Sequence, residues 1–288
     1  MPELPEVETI ARELEAVLPK RRMLEVSVRL AKMLHVSLPT FRRRVVGATI
    51  RRVHRRAKLV LIELSSGWTI IIHLKMSGQL VWLPTRGILR VGGHPIPRGI
   101  EDLPNAYSHV FFTVTGGRLF FNDQRQFGYV KMIATKSLSE WFIEQGYGPE
   151  PLDPDFTEAH FLTLLQKYRR RRIKPTLLDQ QVIAGIGNIY ADETCFLACV
   201  RPSRQIAKIT IAERRQLFKG LQRILRLAIQ KKGTTADAYR TATGDKGSMM
   251  PFLHVYGRDT QACKRCGSII VKTVLAGRGT HYCPNCQR

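Results

Sequence analysis

Acidic residues are scarce. Asp and Glu total 23 against 46 Lys and Arg, a formal charge of +23, and a chain this basic calls for a polyanionic partner: DNA, RNA or an anionic membrane surface. Long apolar runs are also missing. The longest, Leu59–Leu64 and residues 69–74, are strand-length, far short of the roughly 18 residues of a membrane span, so no membrane partner is expected. The first residues are acidic and lack the basic-then-apolar order of an export leader. A cytoplasmic location follows, where six cysteines are not expected to build a disulfide framework. Repeats and low-complexity tracts are absent. What is present, 288 residues with 44% hydrophobic content, supports one large domain or two medium ones with true cores.

The pattern along the chain is α+β. Residues 5–18 read as a helix, with Val7, Ile10, Ala11, Leu14, Val17 and Leu18 near a 3.6 period. Pro5 suits its first turn, and Glu6 and Glu8 complement the helix dipole. Residues 23–133 look β-rich. Hairpins are expected at 59–64 with 68–74 and at 110–114 with 118–121, across Ser65-Ser66-Gly67 and Thr115-Gly116-Gly117. Between them, the Gly- and Pro-rich residues 84–104 read as an irregular loop. A linker-like stretch at 146–154 precedes helices expected at 157–168, 175–182, 188–197 and 212–232, with a tight turn at Gly185-Ile186-Gly187-Asn188. Residues 241–248 read as a mobile loop. The expected division is therefore 1–140, 150–250 and 254–288.

Cys263-x-x-Cys266 and Cys283-x-x-Cys286 are separated by sixteen residues. Two such knuckles supply four thiolates to one structural Zn2+ ion, with no open position for catalysis; unmetallated thiols are the alternative. Residues 269–282 between them read as a hairpin with Gly277-Arg278-Gly279 near its tip, in a basic setting of Arg258, Lys264, Arg265, Lys272 and Arg288. Cys195 and Cys199, one helical turn apart, read as small core residues. Six cations fall in the eight positions 167–174, and Arg51, Arg52, Arg55, Arg56 and Lys58 form a second cluster. Such clusters either face solvent or meet phosphates.

At the N-terminus, removal of Met1 would leave Pro2 with a free secondary amine. An α-amine titrates near pH 8, below lysine, and is a usable nucleophile at pH 7. Attack on a sugar C1′ would give an iminium that acidifies the C2′ proton, with Glu3 beside it to relay protons. On composition alone, simple helix entry is the favoured reading of Pro2. Met76, Arg125 and Phe127 sit at expected turns. Met and Phe can wedge into a base stack and Arg can bond an orphaned base, while core packing is the bland reading of Met76 and Phe127.

Together these stretches resemble the bacterial formamidopyrimidine-DNA glycosylase family. The resemblance runs through Met1–Thr9, Arg56-Ala57-Lys58, His73–Gly78, Asp123–Gly128, Ile173-Lys174-Pro175, Gly185–Glu193, Val255–Arg258 and the four-Cys tail. It implies an N-terminal β-sandwich behind a leading helix, a helix–two-turn–helix domain and a C-terminal zinc ribbon. It also implies excision of oxidised purines such as 8-oxoguanine and formamidopyrimidines, and strand cleavage by β,δ-elimination, in a nucleoid-associated monomer. Its partner would be double-stranded DNA with oxidised purines or abasic sites. Pro2 would be the Schiff-base nucleophile and Glu3 the proton donor; Lys58 would assist β-elimination and Arg278 δ-elimination. His73, His109, Arg125, Arg169, Lys174, Asn188 and Tyr256 would contact DNA, Met76, Arg125 and Phe127 would fill the vacated space, and residues 241–248 would match the family's loop over the lesion.

The chain departs from the family at Gln124, a place often held by Pro, and at Gln126, where the family usually has a second basic residue. Residues 84–104 are longer than the family pattern. Two other readings stay open: an endonuclease VIII-like glycosylase acting on oxidised pyrimidines, and a non-catalytic zinc protein that binds damaged DNA. RNA binding is disfavoured because no aromatic stacking platform is evident.

Overall fold

The computed structural model describes residues 1–96, 102–234 and 248–288; residues 241–247 of the expected mobile loop therefore lie outside the described residues. The chain divides into two compact units, Met1–Gln145 with Lys231–Met250, and Gly146–Gln230 with Pro251–Arg288.

In the first unit, Leu4–Glu15 (α1) begins where Glu3 stays extended and Pro5 falls in the first turn, where a missing N–H is harmless. The Glu6 carboxylate accepts the Glu3 N–H at 3.0 Å. The helix stops at Glu15 rather than 18, because Pro19 disfavours helical backbone just before it. The strands that follow are Met23–Val28 (β1), Ile50–Arg56 (β2), Leu59–Leu64 (β3), Trp68–His73 (β4), Gly78–Pro84 (β5), Arg90–Gly93 (β6), Ser108–Val114 (β7), Gly117–Asp123 (β8) and Tyr129–Ala134 (β9). They form antiparallel sheets in the orders β1-β7-β8-β5-β6 and β2-β3-β4-β9. Alternate residues of each, Leu80, Trp82, Phe112 and Phe121 from one and Val60, Ile62, Ile70 and Ile72 from the other, share one buried core with Val7, Ile10 and Leu14 of α1. This is a β-sandwich with a leading helix, and each such buried side chain contributes roughly 1.5–3 kcal/mol. Two short helices escaped the sequence pattern, Leu38–Val45 (α2) and Leu138–Glu144 (α3). Only Phe41 and Val45 of α2 are buried, too few turns to set a period.

Residues 84–104 are not a featureless loop. They supply the edge strand β6, and Leu89, Val91 and Leu103 join Val81, Phe111 and Phe120 in a second apolar cluster on the other face of the five-stranded sheet. Their glycines serve close approach. A Cβ on Gly92 would lie 2.6 Å from Ile10 of α1, and Gly93, at φ +115°, would meet the Gly78 carbonyl at 2.4 Å. Residues 97–101 of this segment lie outside the described residues.

In the second unit, Glu158–Lys167 (α4), Ile173–Leu178 (α5), Asn188–Leu197 (α6) and Ile211–Gln230 (α7) are followed by the hairpin Val271–Leu275 (β10) and Arg278–Tyr282 (β11). Helix α5 starts and ends earlier than the expected 175–182. Asp179 turns the chain instead, its carboxylate accepting the Gln181 N–H at 3.0 Å. Residues 189–196 of α6 are all buried, so α6 is the central helix, packed against α5, α7 and β11. Helix α7 buries one stripe: Leu217, Leu221, Ile224, Leu225 and Ala228. No helix of the described residues is long and apolar enough to cross a membrane.

Candidate functional site

The first cluster lies where α1 begins. Pro2 and Glu3 are buried, as is Lys58. Lys58 occupies the two-residue turn between β2 and β3, after Ala57 in the left-handed region at φ +54°. Arg55 braces that turn: its guanidinium donates to Glu8 of α1 at 2.9 Å and to the Ala57 carbonyl at 3.0 Å. The Met1 amine is held below its ordinary value, first because burial disfavours its charge and further by Lys58 and Arg125, with Glu3 and Glu6 pulling the other way. Glu6 also accepts from the Thr234 N–H at 2.8 Å, and Thr234 pairs with Ser248. His73, at the end of β4, is buried and pushed down to about 3, by burial and then by Lys75 and Lys58. Its Nδ1 accepts the Lys75 N–H at 3.0 Å, which assigns the neutral ring's proton to Nε2.

A second cluster crosses two adjacent turns of the same unit. Met76 is 44% exposed and Phe127 56% exposed, so neither is core, and the Arg125 guanidinium lies 4.9 Å over the Phe127 ring. Beneath them is the buried Asp123. One carboxylate oxygen accepts from Ser77 Oγ at 2.5 Å and the Arg125 N–H at 3.2 Å, and the other accepts from the Gly128 N–H at 2.6 Å. A Cβ on Gly128 would lie 2.5 Å from the Phe121 ring, so this turn requires glycine. His109 is buried, with Nε2 2.8 Å from the Asp123 carbonyl, and so supports the turn.

In the second unit, Lys174 is buried. Its side chain is 0% exposed, and its ammonium meets the Gly279 carbonyl at 2.7 Å, Thr280 Oγ1 at 2.8 Å and Asp192 Oδ1 at 2.7 Å. An ammonium so occupied ties α5 to α6 and to the hairpin. Asn188 Nδ2, at the start of α6, donates to the same Gly279 carbonyl at 2.9 Å. These contacts fix the hairpin whose exposed Arg278 follows the left-handed turn Ala276-Gly277. Glu193, fully buried on α6, accepts the backbone N–H groups of His254, Val255 and Tyr256 at 2.8 to 3.0 Å, and so sets Tyr256. Arg169 is exposed at the end of α4. Sequence reasoning gave Ser77, Asp123, Asp192 and Glu193 no individual role. Their signal was available: charges inside the otherwise apolar α6, and an acid opening a turn that ends in glycine. Lys174→Met should leave the buried Asp192 without its lysine partner, costing about 3–5 kcal/mol. Denaturant unfolding checks this, and an unchanged midpoint would show that the pair contributes nothing.

The four cysteines converge. Their Sγ atoms all lie within 4.8 Å of one another, with Cys263–Cys286 at 4.0 Å and Cys266–Cys283 at 3.5 Å. Four sulfurs at about 2.3 Å from a tetrahedral Zn2+ ion sit about this far apart, so the donor set fits zinc. The Arg265 and Cys286 N–H groups point at Cys263 and Cys283 sulfur at 3.4 Å each. Such N–H–sulfur bonds orient thiolate ligands. Cys199, expected in the core, is exposed: its residue adopts φ +58° past the end of α6, and its sulfur accepts from Arg265 at 2.8 Å.

Comparison with known proteins gives one pattern along the chain. The formamidopyrimidine-DNA glycosylase N-terminal domain matches residues 1–130, the formamidopyrimidine-DNA glycosylase H2TH domain matches 147–239, and a zinc finger found in FPG and IleRS matches 261–288. The chain is 40% identical to the formamidopyrimidine-DNA glycosylase of Carboxydothermus hydrogenoformans, covering 100% of both chains. It is 38% identical to that of Streptococcus pyogenes, over 100% of this chain and 99% of the relative. A complex between the Lactococcus lactis Fpg and DNA containing an abasic site superposes with a TM-score of 0.88 at 32% identity, over 99% of each chain.

Proposed function

The chain belongs to the formamidopyrimidine-DNA glycosylase family, a DNA-repair glycosylase with a structural zinc finger, and from that premise we propose that it excises oxidised purines and then cleaves the strand through an imine on Pro2. The observation that carries this reading is the junction of a buried Pro2, a buried Glu3 and a buried Lys58 at one end of the sandwich.

The steps follow from that junction. After removal of Met1, the Pro2 nitrogen attacks C1′ of the damaged nucleotide. The glycosidic bond breaks and the base departs with a proton supplied through Glu3. Ring opening gives the iminium, which draws electrons from the C2′–H bond. Loss of that proton, assisted by Lys58, expels the 3′ phosphate. A second elimination, assisted by Arg278, expels the 5′ phosphate, and water releases the sugar remnant from Pro2. Met76, Arg125 and Phe127 enter the space left by the extruded nucleotide. His73, as a neutral Nε2–H donor, and Arg169, Asn188 and Tyr256 hold the backbone. Zinc, when bound by Cys263, Cys266, Cys283 and Cys286, fixes the hairpin that carries Arg278 and takes no part in bond making.

Borohydride trapping on a duplex with 8-oxoguanine opposite cytosine, beside an abasic duplex, tests the reading. A covalent adduct on both, mapped to Pro2, is the expected result. An adduct on the abasic duplex alone keeps the lyase and moves base preference towards pyrimidines; no adduct on either, despite tight binding, overturns the enzyme reading. Binding itself should be salt-dependent. Each neutralised phosphate adds about −0.9 to the slope of log K against log salt, so affinity should fall roughly a hundredfold between about 50 and 200 mM salt. A flat profile would argue against backbone contacts.

A further inference from the structure

We infer that Asp123 and Ser77 form a clasp that makes Met76, Arg125 and Phe127 act as one insertion element, and that both are positioning residues for nucleotide extrusion. The three exposed side chains come from two different turns, Leu74–Ser77 between β4 and β5 and residues 124–128 between β8 and β9. Backbone pairing joins the turns only at their bases, Gly78 with Asp123 and His73 with Tyr129. The side-chain tie above those bases is the Asp123 carboxylate, which is completely buried. It accepts from Ser77 Oγ at 2.5 Å across the two turns, and from the Arg125 and Gly128 N–H groups at 3.2 and 2.6 Å within its own. Ser77 Oγ in turn accepts the Arg125 N–H at 3.0 Å. The residue between the two side chains that would insert, Gln126, is held in the left-handed region at φ +57°. Such a conformation persists only where surrounding bonds over-determine it, and here the buried carboxylate grips the turn on both sides of it.

The consequence is mechanical. Met76 adjoins Ser77, and Arg125 and Phe127 lie between the two N–H groups that Asp123 holds. A buried, charged acceptor with several short bonds is stiff, because leaving any of the donors unpaired is costly. Insertion into a base stack must offset unstacking of a few kcal/mol. Side chains held at fixed spacing do this without first losing the freedom of two loose turns. Asn at 123 would present an N–H to one of the N–H or O–H donors, breaking the clasp while preserving shape. Ala at 77 would cut the tie between the turns and leave the rest.

This inference rests on the proposed insertion role of the three side chains, and the test separates the two. Asp123→Asn and Ser77→Ala are compared with Met76→Ala and Phe127→Ala in the full-length protein. Two rates are measured: excision of 8-oxoguanine from a duplex, which needs extrusion of a stacked base, and cleavage of a preformed abasic site, which has no base to extrude. Fluorescence of a 2-aminopurine placed opposite the lesion reports insertion directly. The expected result is that the clasp variants lose excision at least about tenfold, keep abasic cleavage within about threefold, and lose the fluorescence change. Parallel loss of both rates would mean a merely structural role and would overturn the clasp. So would unchanged excision in the clasp variants when Met76→Ala and Phe127→Ala impair it. If none of the four variants impairs excision, the insertion reading itself falls, and the clasp with it.

Discussion

Replacing Pro2 by glycine should lower strand cleavage on the order of a hundredfold or more while leaving DNA affinity within about twofold. The substitution keeps a terminal α-amine but makes it primary. A primary amine can lose its proton to give a neutral imine, whereas proline forms an iminium whose positive charge cannot be shed and which withdraws electrons from C2′ throughout the elimination. Affinity should survive because it resides in phosphate contacts of Arg and Lys side chains that the substitution does not touch. A companion variant sharpens the result. Glu3→Gln should stop base release and spare cleavage of a preformed abasic site, since only the former needs a proton delivered to a leaving base. Quantitative gel kinetics on lesion and abasic duplexes, with titration of affinity in parallel, measures all of this. Unchanged cleavage by Pro2→Gly would remove Pro2 from the reaction. Intact mass gives an independent check, because retained Met1 would block the nucleophile in the wild-type protein itself.

The sequence was most legible where one physical signal dominated. Residues 188–197 read as a helix with the bounds observed, because Gly185 and Gly187 mark its start and seven apolar or small residues fill the turns that follow. The hairpins of β3 with β4 and β7 with β8 were equally plain, since tight turns separate β-branched and aromatic runs. The four cysteines needed only their spacing. Legibility failed where a residue type has two uses. Glycine at 92 and 93 signalled a loop, but its use here is close packing of a strand against α1 and β5. The ion pair of Lys174 with Asp192, eighteen residues away, is unreadable without the fold. The contact of His109 is unreadable likewise, because its partner is a backbone carbonyl. Exposure told the other way for Met76 and Phe127: apolar type alone favoured the core, and the turns carry both to the surface.

Cys263→Ser should strip the zinc, release the hairpin that carries Arg278, and weaken binding to duplex DNA at least about tenfold. The reason lies in how little else holds that segment. Strands β10 and β11 are five residues each, and an isolated hairpin of this size is marginal in water. Its apolar support is a small cluster of Phe196, Val255, Ile270, Cys263 and Cys283, two of which are themselves ligands. The polar anchors are Lys174 and Asn188 on the Gly279 carbonyl, and Asp192 on the His281 N–H at 2.9 Å. Each such bond contributes only about 0.5–1.5 kcal/mol net, or somewhat more where charged. A four-thiolate zinc site contributes about 10–16 kcal/mol in zinc-finger peptides, so the metal outweighs the anchors together. Chelation of the wild-type protein should reproduce the variant. The product pattern then separates metal loss from general unfolding. Pro2, Glu3 and Lys58 belong to the other compact unit, so residual cleavage at high protein concentration should continue through β-elimination and lack the δ-product that depends on Arg278. Full affinity and an unchanged product pattern in a variant shown to contain no zinc would sink this account. They would mean that the hydrogen bonds to α6 suffice, and that the thiolate site serves some purpose other than holding Arg278 in place.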